Sequence, residues 1–160
     1  MTPEPDDPAP ASARPEAAGS PSRWERLRGP WRVVVAEGSM LPTIAPGDWL
    51  LIDPTVRRWP RPGSLVVFRE PNTDTLAIKR VLARSGERAP FNGGFIVIGE
   101  DEAWLTSDAT PTVAAAAGFG PPIDSERYGP VESGRLVGRV WFRYGPPGRI
   151  GRLGRTRPTE

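Results

Sequence analysis

Proline and glycine interrupt this chain so often that it should be rich in turns and short strands and poor in long helices. With 21 prolines and 18 glycines in 160 residues, a helix-breaking residue recurs before most helices could complete more than a few turns. The apolar runs between these breaks are short. Val33-Val34-Val35-Ala36, Leu65-Val66-Val67-Phe68 and Phe95-Ile96-Val97-Ile98 are rich in β-branched and aromatic residues, which favour a pleated, half-buried backbone. Strands are expected at 31–36, 49–53, 64–70, 75–84, 95–100, 103–107 and 136–144. Turns are expected at 46–48, at Pro62-Gly63 and at 71–74. The segments 95–100 and 103–107 should pair with each other. Residues 85–94 read as a loop and 108–123 as a long irregular insertion, whose alanines 114–117 allow one helical turn. The fold class is all-β, built of short strands and coiled loops.

Composition divides the chain into three parts. Residues 1–22 read as a disordered Pro/Ala-rich leader, 23–145 as the folded domain and 146–160 as a basic flexible tail. The first residues carry neither the charged start nor the apolar segment of a signal peptide. No run approaches the roughly 18 apolar residues of a membrane span. A cytoplasmic protein without a transmembrane anchor is therefore expected. Six tryptophans and the arginine-rich tail raise peripheral contact with anionic lipid as the alternative. The net charge of +2 gives little support to nucleic-acid binding, and no nucleic-acid partner is expected.

The chain has no cysteine and no histidine. Thiol catalysis, histidine-based triads and the usual zinc sites are thereby excluded, and no metal or other cofactor is expected. Catalysis would have to come from carboxylates, hydroxyls, arginine or lysine. Of 21 basic residues, Lys79 is the only lysine. Arginine keeps its proton in a protein, so it cannot replace a lysine whose task is to lose one. By alternation Lys79 shares a strand face with Thr75, Ala77, Val81 and Ala83, an apolar setting that would lower its pKa from roughly 10.4 by penalising the charged form. A neutral amine can take a proton from a serine hydroxyl. Ser39 is the candidate, in a loop that Met40 and Leu41 can anchor in the core, with Gly38 permitting close approach. The same residues also fit an ordinary loop serine, and a lysine whose stem lies on the sheet while its ammonium reaches water.

The stretches Gly38-Ser39-Met40-Leu41-Pro42-Thr43 followed by Pro46-Gly47-Asp48, then Lys79-Arg80-Val81, then Asp124-Ser125 with Tyr128-Gly129-Pro130-Val131, and finally Gly138-Arg139-Val140 resemble bacterial type I signal peptidases. The resemblance spans about 38–143. Within that family it is closest to the soluble maturation proteases of nickel-type superoxide dismutase. It implies a signal-peptidase/LexA-like catalytic fold, with Ser39 as nucleophile and Lys79 as general base. It further implies Gly38, the Ser39 backbone N–H and Met40 as the oxyanion loop, and Asp124, Ser125 and Arg127 as supporting residues, Ser125 orienting the lysine. The implied function is a serine endopeptidase removing a leader from a precursor protein, the precursor of a nickel-type superoxide dismutase being one candidate partner. An inactive peptide-binding module on the same scaffold and a self-cleaving regulator of LexA type are the alternatives.

The chain departs from the family pattern at several points. Ser107-Asp108-Ala109 stands where the family has Gly-Asp-Asn. Glu126 displaces an arginine to Arg127, Pro122 replaces a serine, Ser64 replaces an aspartate, and the stretch before Asp124 is long. These changes bear on the surroundings of the lysine and leave Ser39 and Lys79 themselves in place.

Overall fold

The computed structural model describes residues 30–154. The expected 1–22 leader lies outside the described residues, as do 155–160 of the expected tail. Nine strands and two short helices follow one another: β1 (Trp31–Val34), β2 (Trp49–Asp53), β3 (Leu65–Arg69), β4 (Leu76–Arg84), β5 (Arg88–Phe91), β6 (Gly94–Val97), β7 (Glu102–Thr106), α1 (Pro111–Ala116), α2 (Ser125–Tyr128), β8 (Val131–Glu132) and β9 (Leu136–Gly145). Seven strands make one antiparallel sheet in the order β1-β2-β9-β3-β4-β7-β8, and β5-β6 form a separate hairpin. The all-β class expected from the turn-punctuated apolar runs is what the chain adopts.

Both faces of the central strands are covered, which is why β3 reads as an unbroken apolar run rather than an alternating one. On one face Met40, Ile44, Leu50, Ile52, Leu65, Val67 and Val140 form a core cluster against which Ile78 packs. On the other, Trp59, Val66, Phe68, Val81, Ala103, Leu105 and Val131 form a second cluster, with Tyr128 against it. Register assigns each residue of β4 to a face: Lys79 pairs with Val66 and Arg80 with Leu65. Lys79 therefore stands on the second face and Arg80 on the first.

Two expectations change. The segment 95–100 does not pair with 103–107. Residues 94–97 fold back on 88–91 within the expected loop, around Asn92 and Gly93. Both turn residues have positive φ, 49° and 75°, the geometry of a tight two-residue hairpin turn. Asn92-Gly93 was the available signal, and Pro90 and the polar residues before it obscured it. β7 pairs instead with β4 and β8. The second change concerns the C-terminal end. From residue 146, where a flexible tail was expected to begin, the described chain is held to the body. Arg149 donates to both Asp48 oxygens at 2.8 and 3.0 Å, and Gly151 and Arg143 exchange backbone hydrogen bonds. Asp48 is 1% exposed. Its burial would raise its pKa, but hydrogen bonds from Arg149, Ala45 N–H and Arg143 outweigh that and hold it below the ordinary carboxylate value.

Candidate active site

Ser39 lies in the turn that follows β1, and the turn is anchored from both sides. Met40, 2% exposed, and Ile44, fully buried, plug it into the first core cluster. The N–H of Ile44 returns to the carbonyl of Met40, and that of Leu41 to the carbonyl of Gly38. On the outer side Phe119, from the insertion after α1, covers Gly38. A Cβ at Gly38 would stand 2.5 Å from a ring carbon of Phe119, closer than any side chain tolerates, so glycine is required there while Phe119 keeps its place. The resemblance marked the insertion as overlong, and no pattern within it foretold this contact.

Lys79 is 3% exposed. Among the described residues no carboxylate pairs with it. The salt bridges found belong to Arg80, Arg135, Arg139, Arg143 and Arg149. Burial pushes its pKa below the ordinary lysine value of 10.5, and the more distant carboxylates of Asp124, Glu37, Glu70 and Asp108 pull only partly the other way. Glu37 sits two residues before Ser39, so the Ser39 loop lies within electrostatic reach of the amine.

Residues 107–109 tie the two together. The Ala109 N–H donates to the Ser39 carbonyl at 3.1 Å. Asp108 grips Arg80, the neighbour of Lys79, with two parallel bonds: Nε to Oδ1 at 2.7 Å and Nη2 to Oδ2 at 2.6 Å. Arg80 is 2% exposed, and its Nη1 donates to the Gly63 carbonyl at 2.7 Å. The Ser107 N–H donates to Asp124 Oδ2 at 2.9 Å. One three-residue segment thus holds the Ser39 loop, Arg80 beside the lysine in the middle of β4, and the start of α2. Sequence reading singled out Asp108 only as part of an altered box and gave Arg80 no role. A lone arginine in an apolar strand facing an aspartate 28 residues on was the only signal.

The expected supporting residues, Asp124, Ser125 and Arg127, lie at and within α2. Asp124 caps α2, accepting from Glu126 N–H as well as from Ser107, and its charge acts on Lys79. Ser125 is fully buried, and its hydroxyl oxygen accepts from the Leu105 N–H in β7 at 2.9 Å. It therefore ties α2 to the sheet, and its recorded bond is not to the lysine. Arg127 is exposed in the last turn of α2 and forms no salt bridge among the described residues.

Beside Ser39 runs an apolar groove of about 240 Å³. Val33 to Glu37 line one wall, Leu76 to Ile78 the other, and Ser39, Met40 and Ile44 the floor and end. The sheet curls so that β1 and the start of β4, three strands apart in the order, face each other across it. Among the described residues both walls present unpaired strand edges. β1 pairs only with β2, and β7 joins β4 only from Arg80 onward. Among the described residues no cluster of three or more metal-ligating side chains occurs, and no helix is long and apolar enough to cross a membrane.

A sheet that holds a serine loop and a buried, unpaired lysine beside a groove between two open strand edges is the architecture of a peptide-handling hydrolase. Comparison with known proteins makes this specific. The family described as "Signal peptidase, peptidase S26" matches residues 30–112. The "Mitochondrial ATP-independent inner membrane protease subunit 1b" of Arabidopsis thaliana is 32% identical over 130 residues, covering 74% of this chain and 72% of that protein. "Signal peptidase I" of Leptolyngbya laminosa is 28% identical over 140 residues, covering 72% of this chain and 69% of that protein. The chain belongs to the signal peptidase family S26, and it is a serine-type peptidase of the kind that removes leader peptides.

Proposed function

We propose that Ser39 and Lys79 form the catalytic dyad of this peptidase. The observation that carries the reading is Lys79 itself: the only lysine of the chain, almost fully buried, with no carboxylate paired to it, on a strand linked to the Ser39 loop through residues 107–109. Neutral Lys79 takes the proton from the Ser39 hydroxyl as its oxygen attacks the scissile carbonyl. The Ser39 N–H, which no described carbonyl or side chain occupies, donates to the developing oxyanion. The tetrahedral intermediate collapses to an acyl-enzyme, and the leaving amine departs with the proton held on Lys79. Lys79, neutral again, takes a proton from water as its oxygen attacks the acyl carbon; collapse frees the new carboxyl end while the Ser39 oxygen leaves with the proton returned from Lys79.

The substrate lies extended in the groove, adding its backbone to the open edges of β1 and β4. Leu76, Ile78 and Met40 leave room for small apolar side chains, in keeping with the small residues before the cut that the resemblance implies. The finer proposal, a nickel-type superoxide dismutase precursor as substrate, rests on the resemblance alone. A cytoplasmic site of action, at the membrane surface or free of it, is likewise proposed, and cell fractionation tests it.

The test is cleavage of a peptide library and of that precursor, read by mass spectrometry, with wild type, Ser39→Ala and Lys79→Ala compared. Cleavage after small residues that is lost in both variants is expected. Cleavage surviving Ser39→Ala sinks the dyad, and capture without cleavage by wild type favours a binding module.

A further inference from the structure

Three buried polar side-chain atoms among the described residues find no hydrogen-bond partner: Arg69 Nε, Ser107 Oγ and Tyr128 OH. A buried hydroxyl without a partner loses its hydration with nothing in return, so such groups are rare unless something nearby uses them. Two of the three belong to the face of the sheet that carries Lys79. Tyr128 packs on the second core cluster with its ring centroid 6.3 Å from that of Phe68. Ser107 follows Leu105 of the same cluster by two residues, just past the end of β7, where continued alternation would turn it to the same face.

Register brings Ser107 to the lysine. Arg80 is opposite Thr106 and Val81 opposite Leu105 in the antiparallel pair of β4 and β7. β7 ends at Thr106, and the chain leaving it continues toward Lys79: the same register carried one residue further would bring Ser107 level with the amine-bearing residue. The backbone there is pinned on both sides of the hydroxyl. The Ser107 N–H is held by Asp124, the next residue grips Arg80, and the one after holds the Ser39 carbonyl. Meanwhile Ser125, to which the resemblance gave the task of orienting the lysine, has its oxygen on the Leu105 N–H.

We propose that Ser107 is the positioning residue for Lys79, its hydroxyl accepting a hydrogen bond from the amine and aiming Nζ at the Ser39 loop. The proposal rests on the dyad reading above. It gives a use to an otherwise unsatisfied buried hydroxyl and a partner to an otherwise unpaired amine. Tyr128 is the competing hydroxyl, but it reaches this face from α2 over Phe68 rather than from the continuation of β7 toward Lys79.

Because Lys79 is the chain's only lysine, protein grown on isotope-labelled lysine gives a single lysine side-chain resonance, whose pH titration reports this one amine without requiring activity. Ser107→Ala should move its midpoint down, since the ammonium loses an accepting oxygen. It should also lower kcat about tenfold with KM little changed. Ser107→Thr, which keeps the hydroxyl, should restore both. Tyr128→Phe should leave the midpoint in place. If Ser107→Ala leaves the lysine titration at its wild-type midpoint, Ser107 has only a structural role and the proposal is overturned, whatever happens to stability. A midpoint moved by Tyr128→Phe instead overturns it in favour of the phenol. Should Ser107→Ala fail to fold, Ser107→Gly and Ser107→Thr give the same comparison. Cleavage that survives Ser39→Ala would refute the dyad separately, leaving the titration to decide whether Ser107 touches the amine.

Discussion

Removing the carboxylate of Asp108 should damage this protein more than any surface substitution, and the structure allows the size of the effect to be worked out. Arg80 is 2% exposed and spends two of its nitrogens on Asp108, at 2.7 and 2.6 Å, and a third on the Gly63 carbonyl. Asp108→Ala leaves the guanidinium buried with its Nε and Nη2 unsatisfied. Breaking one side of a buried ion pair costs about 3–5 kcal/mol. The Asp108 side chain is 13% exposed, so some water can reach the gap, and the low end, about 3 kcal/mol, is expected. For a chain of this size that is a fall in Tm of roughly 10 °C. Urea unfolding followed by tryptophan fluorescence measures the loss. Amide exchange at Ala109 should quicken beyond the global change, because its bond to the Ser39 carbonyl depends on the same segment. Replacing both partners, Arg80→Met with Asp108→Leu, removes the stranded charge and should recover much of the stability. A loss below about 1 kcal/mol for Asp108→Ala, or a double variant as unstable as the two single losses added, would refute the view that this pair is a desolvated clamp.

Lys79 binds its proton more weakly in the folded than in the unfolded chain, so folding stability should rise with pH from its lowered midpoint up to 10.5, the ordinary lysine value. Lys79→Met should accordingly be more stable than wild type at neutral pH, the gain shrinking as pH approaches that value, as denaturation at several pH values would show. Under the proposed dyad, kcat/KM should rise with pH through the same lowered midpoint, and a profile that rises only in the range of an ordinary lysine would contradict the burial argument. Gly38→Ala should abolish most cleavage by colliding with Phe119, and Gly38→Ala with Phe119→Ala should recover it; a double variant as inactive as the single would mean that the ring is not the obstacle. Asp48→Ala, which strands Arg143 and Arg149, should cost about 2–3 kcal/mol. Because the Asp48 carboxyl is held below its ordinary range, that contribution should persist in mild acid and disappear only as pH falls through its depressed midpoint, compared by urea unfolding at neutral pH and at about pH 3.

The chain by itself determined the class of fold and the candidate chemistry. Frequent proline and glycine limited it to short elements, β-branched runs made those elements strands, and the absence of histidine and cysteine left carboxylates, hydroxyls, arginine and a single lysine as candidate catalytic groups, among which the family resemblance pointed to Ser39 and Lys79. These are local or compositional properties, and a strand's preference is set largely by its own residues. The 88–97 hairpin is hard to read from sequence because a two-residue turn signal is weak beside Pro90 and exposed polar residues. Tertiary structure alone decided that Lys79 and Arg80, adjacent in sequence, go to opposite buried faces with different partners. It also decided that Asp108 neutralises the arginine while the lysine is left unpaired, that Phe119 covers Gly38, and that Arg149 fastens the chain after β9 to Asp48. Each of these depends on sheet register and on side chains far apart in the chain, and whether a buried charge is paired or stranded is a property of the packed neighbourhood rather than of the residue that carries it.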